Sequence, residues 1–168
     1  MMSLPLAAAG AVLAALLETS VFSDLRPLGQ KPDLVLVFAI ISAMIIGVED
    51  GLVWAFLGGL MLDMLLPGRP AGVTMLSLLI ATGLAIGASR FLPQARVVLP
   101  LLAAFFLTWV YHLTGFALVA ATTGASSFPE PLTALLPVAV VNAVVALAAA
   151  LVARWLWLRY GQHDRLEW

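Results

Sequence analysis

The chain has no cysteine, which excludes disulfides, iron–sulfur clusters and thiolate metal sites. Its two histidines, His112 and His163, stand far apart, and the carboxylates are scattered, so no metal-ligand spacing appears. Charge is scarce. Only 10% of the 168 residues are Asp, Glu, Lys or Arg, against about 25% in an ordinary soluble domain. The formal net charge of −1 gives no basic surface for nucleic acid. The catalytic signatures are missing too. There is no GxxxxGK[ST] phosphate loop, no HExxH, no GxSxG elbow and no Cys–His pair. The Lys and Arg residues form no cluster that would grip lipid head groups or phosphates. An enzyme is therefore not expected, and neither a cofactor nor a metal is implied.

What remains is apolar: 63% of the residues are hydrophobic. Runs of this length and composition specify an all-α integral membrane protein, since a spanning helix needs about 20 apolar residues. Six helices are expected, at about 4–22, 33–48, 51–66, 73–91, 97–122 and 132–158, forming one transmembrane domain over residues 1–168. The first basic residue, Arg26, comes after the first apolar run. A signal peptide has its basic residues before that run, so the run reads as an uncleaved first helix. Helix 1 carries Glu18 in its last turns, within reach of the surface. Pro32 and Asp33 open helix 2, where a proline loses only an N–H that would be unpaired anyway. One long helix over 33–66 would bury Glu49 and Asp50 in mid-membrane. A hairpin with those two acids at its tip avoids this, and it places them at the positive end of helix 3. With both termini inside, Arg90, Arg96, Arg154, Arg159 and Arg165 face the cytoplasm and Arg26, Lys31 and Arg69 face out. That bias, and the anchor Arg154, Trp155, Trp157, Arg159, Tyr160, favour cytoplasmic termini.

Polar and small residues inside the helices are the candidate functional positions. Gly51, Ala55 and Gly59 recur every fourth residue and lead to Asp63, so they share one helix face. Small residues at that spacing let a second helix approach closely, and Gly83-xxx-Gly87 on helix 4 is the natural partner surface. Gly47 and Gly72 flank the helix 3 segment. Asp63 has three readings: it caps a neighbour or reaches the headgroups near its helix end, it binds a ligand or partner, or, least favoured because no second catalytic group is near in sequence, it is catalytic. His112, one turn after Thr108, is read as satisfied by a neighbouring helix, with proton relay as the alternative. Asn142 is read as an interhelical hydrogen bonder. Glu130, between Pro129 and Pro131, is read as a solvated loop residue.

The stretch from Lys31 to Gly72 resembles the bacterial rod shape-determining protein MreD family. The pieces are Lys31-Pro32-Asp33-Leu34 opening helix 2 and the hairpin glycines Gly47 and Gly51. Gly59-Leu60-Met61-Leu62-Asp63 closes helix 3, and Pro70-Ala71-Gly72 leads into helix 4. The resemblance implies a non-enzymatic component of the elongation machinery, or elongasome, in the bacterial cytoplasmic membrane. It implies a direct partner, MreC, and through it links to MreB and to the peptidoglycan transglycosylase and transpeptidase. It also implies a fold similar to the S-component of energy-coupling-factor vitamin transporters. From that likeness comes the alternative reading, a small-molecule-binding transporter subunit.

Overall fold

The computed structural model describes residues 4–21, 30–66, 70–91, 98–124 and 131–160, and these are all-helical apart from short turns. Six α-helices follow one another: α1 (Leu4–Ser20), α2 (Leu34–Ile41), α3 (Val48–Leu65), α4 (Val73–Phe91), α5 (Val98–Thr123) and α6 (Pro131–Tyr160). A π-helical turn, Ser42–Ile46, prolongs α2. Three of the helices, α4, α5 and α6, contain stretches long and apolar enough to cross a membrane. The apolar segments Leu4–Ser20 and Leu34–Ile46 are shorter. Large exposed side chains such as Leu13, Phe56, Met64, Leu84, Phe106 and Val144 give the bundle an apolar exterior suited to lipid.

The centre of the bundle is α2. Leu34, Val35, Leu36, Val37, Ala39, Ile40 and Ile41 are all buried, and each of the other five helices packs on it. A helix that is apolar all round belongs in such a position. Lipid tails are as apolar as leucine, so close packing must hold the helices together. The chain supplies it with small residues. On α1, Ala7, Ala11, Ala14 and Ala15 are buried, and Gly10 lies under the Trp54 indole of α3. On α3, Gly51 meets the α2 end: a methyl group added there would lie 2.6 Å from the Ala43 Cα. Gly59 meets the start of α4, where a methyl group would lie 2.5 Å from the Met75 Cα.

The α2–α3 hairpin differs from the sequence expectation. The break is the single extended residue Gly47, and α3 starts at Val48, so Glu49 and Asp50 form its first turn and do not precede it. The π turn accounts for this. It inserts a wider turn before the break and closes with the Gly47 N–H donating to the Ser42 carbonyl at 2.9 Å. Asp50 is consequently buried, with Oδ1 unpartnered. The expected pairing of the α3 stripe with Gly83 and Gly87 is also corrected. No heavy atom of the described residues would meet a methyl group on either glycine within 4 Å. The buried face of α4 runs through Leu78, Ala81, Thr82 and Ala85. At 100° per residue, Gly83 stands a quarter turn or more off that face.

Candidate polar site at the start of α2 and α4

A helix start leaves backbone N–H groups without intrahelical partners, and inside a bilayer no water satisfies them. Both α2 and α4 begin at the end of the bundle where α1 and α3 finish, and each is served by a carboxylate from the helix before it. For α2 the carboxylate is Glu18. Its Oε2 accepts the Val35 N–H at 3.0 Å. Glu18 is only 4% exposed, so it does not reach the surface as its sequence position suggested. The reason is that α2 starts below the surface and draws the acid inward.

For α4 the carboxylate is Asp63. Its Oδ2 accepts the N–H groups of Gly72 at 3.0 Å and Met75 at 3.1 Å, and its Oδ1 accepts that of Thr74 at 2.9 Å. Gly72 sits at φ +92°, a left-handed turn conformation, and so presents its N–H to the acid just before the helix. Of the readings the sequence left for Asp63, the geometry is that of the cap.

The start of α2 also recruits side chains from α5 and α6. The Asp33 N–H donates to Asn142 Oδ1 at 2.9 Å. The Asn142 amide nitrogen donates to Asp33 Oδ2 at 2.9 Å and to Thr108 Oγ1 at 3.0 Å. The Thr108 hydroxyl donates onward to the Ala104 carbonyl at 2.6 Å. Asn142 is fully buried, and its acceptor and both donor hydrogens are used. His112 Nε2 lies 3.0 Å from Asp33 Oδ2. That carboxylate oxygen also accepts from Asn142, and a carboxylate has no hydrogen to give, so the ring nitrogen facing it carries the hydrogen. The His112 ring packs against Tyr111 and Phe116.

Beside this network lies a partly open cavity of about 140 Å³ between α4 and α5. Thr74, Ser77, Tyr111, His112, Gly115, Phe116 and Val119 line it. The Ser77 hydroxyl donates to the Val73 carbonyl at 2.8 Å. The Thr74 hydroxyl is buried without a partner.

The arrangement has some ingredients of acid–base chemistry and lacks others. Asp33 and His112 are paired as in a catalytic dyad, but no hydrogen bond joins His112 to Ser77 or Thr74 among the described residues, so no nucleophile is attached. No group of three His, Asp or Glu side chains that could hold a metal occurs among them either.

Of the candidates chosen by sequence, His112 and Asn142 meet on Asp33, while Asp63 and Gly72 meet at the α4 cap. Gly51, Ala55 and Gly59 line the packed face of α3, Gly47 makes the break before it, and Gly83 and Gly87 join neither cluster. Sequence reasoning missed the roles of Glu18 and Asp33 and passed over Thr74 and Ser77. The signal for Asp33 was present, since an acid that opens an apolar helix needs partners from elsewhere. Asp24, Arg26, Arg69, Arg96, Glu130 and Arg165 lie outside the described residues, as do the side chains of Arg154 to Tyr160.

Compared with known families, residues 6–157 match the family model described as rod shape-determining protein MreD. Nothing matches among curated proteins or among solved structures.

Proposed function

The chain belongs to the rod shape-determining protein MreD family, and from that premise we propose that it is a non-enzymatic membrane scaffold of the cell-wall elongation complex. In this reading it crosses the bacterial cytoplasmic membrane six times with both termini in the cytoplasm. It binds MreC directly and connects through it with MreB and with the transglycosylase and transpeptidase that build lateral peptidoglycan. The family match over most of the chain carries the reading. Two structural features support it. Glu18 and Asp63 are spent on helix starts, and among the described residues no hydrogen bond attaches a Ser or Thr hydroxyl to His112. No described residue would meet a methyl group on Gly83 or Gly87 within 4 Å, as expected of a surface kept for another helix.

Co-purification tests it. Tagged chain, expressed with MreC and extracted in several detergents and lipid particles, is expected to bring MreC down. Consistent failure to do so would remove the scaffold reading. The cavity between α4 and α5 favours a second reading, a small-molecule-binding subunit of an energy-coupling-factor-type transporter. A vitamin that raises the melting temperature saturably and selectively would promote it.

A further inference from the structure

The geometry points to the α4–α5 cavity as the seat of an uncharged, hydroxyl-bearing lipid headgroup of glycerol type. Size comes first. About 140 Å³ is close to the engineered cavity of about 150 Å³ that holds benzene, so the site takes a group of about six heavy atoms. Glycerol is of that size.

Charge comes second. No Lys or Arg is among the described residues that line the cavity. Two carboxylates stand directly behind its wall: Asp33 on His112, and Asp63 on the Thr74 N–H. A phosphate or carboxylate placed here would lose its hydration without gaining a counter-charge.

Hydrogen bonding comes third. The Thr74 hydroxyl is 2% exposed and has no acceptor for its hydrogen. Ser77 Oγ, having donated to Val73, keeps acceptor capacity. The wall therefore offers one donor and one acceptor. A hydroxyl serves both kinds, whereas an ammonium would leave the Thr74 hydrogen unserved. The cavity lies between two helices apolar enough to cross a membrane. Half-buried Phe116 and Val119 line it. An acyl chain attached to the headgroup can lie along that surface. The inference does not depend on MreC, so failure of the co-purification leaves it standing.

The test uses the full chain in phosphatidylcholine nanodiscs doped with 1-oleoylglycerol, oleic acid, oleylamine or methyl oleate, with free glycerol as a separate arm. The melting temperature should rise saturably with 1-oleoylglycerol, by about 5–10 °C at a hundredfold excess over Kd. Thr74→Val keeps the side-chain shape and removes an unpartnered hydroxyl, so its own melting temperature should hold or rise while the 1-oleoylglycerol shift disappears. Gly115→Val, which fills the cavity wall, should also abolish the shift, and Thr74→Val carries the test if that variant does not fold. Equal stabilisation by oleic acid, oleylamine or methyl oleate would overturn the proposal. So would a full shift in Thr74→Val, or free glycerol matching 1-oleoylglycerol, since the site would then not be reading a lipid.

Discussion

Replacing Asp63 by alanine should be among the most damaging single changes in the bundle, and its cost can be worked from three hydrogen bonds. The Thr74 N–H is buried, so losing its carboxylate partner carries the full charge-assisted cost of about 1.5–3 kcal/mol. The Gly72 and Met75 N–H groups are only partly buried and can recover some hydration, so each adds about 0.5–1 kcal/mol. The expected total is about 2.5–5 kcal/mol. Asp63→Asn keeps one acceptor oxygen, enough for Thr74, but turns an NH2 toward two donors; it should fall about midway between wild type and alanine. Unfolding in mixed micelles, followed by fluorescence of the five tryptophans, gives the midpoint and slope that separate a stability change from a change in compactness. Amide exchange at residues 72–75 should accelerate before that of the rest of α4. If Asp63→Ala lay within about 0.5 kcal/mol of wild type, a dispensable cap would be the only account left. If asparagine were as damaging as alanine, counting acceptors would be the wrong explanation.

Three further outcomes follow from the packing and the network. Gly51→Ala and Gly59→Ala force backbones apart at Ala43 and Met75 and should each cost about 1–3 kcal/mol in the same assay. Gly83→Ala and Gly87→Ala should instead be neutral or stabilise by about 0.5–1 kcal/mol, because the added methyl meets nothing and helix propensity improves. Asn142→Leu leaves the partly buried Asp33 N–H without its acceptor, and Thr108→Val leaves one N–H of the buried Asn142 amide without its own, so each should cost about 1–3 kcal/mol.

The helix pattern was legible because long apolar runs broken by turn formers announce helices by length and composition. The starts of α4, α5 and α6 fall within a residue of their expected positions. The three-residue shift at α3 came from the π turn at Ser42–Ile46, whose apolar sequence carries no signature distinguishing it from an α turn. The small-residue stripe on α3 was readable, and its partner was not. Spacing tells which residues share a face, but not the rotation of the opposing helix, and α4 turned out to present Met75 and Leu78. The site was half legible for a similar reason. Asp63, His112 and Asn142 stand out as polar groups in apolar helices, whereas Glu18 and Asp33 sit near helix ends where acids are commonplace. Only the depth at which α2 begins makes them interior residues.

The asparagine that completes the start of α2 sits 109 residues further along the chain than Asp33. This separation has a consequence for biogenesis. At about 5–20 residues per second, the ribosome reaches Asn142 roughly 5–20 s after Asp33 has been made. Through that interval the nascent α2 has its Glu18 partner, supplied earlier, but not its α6 partner. The core helix is thus made second and completed last. Insertion of α6 is the step that closes the molecule, and any chain truncated before it would enter the membrane with the start of its central helix still open.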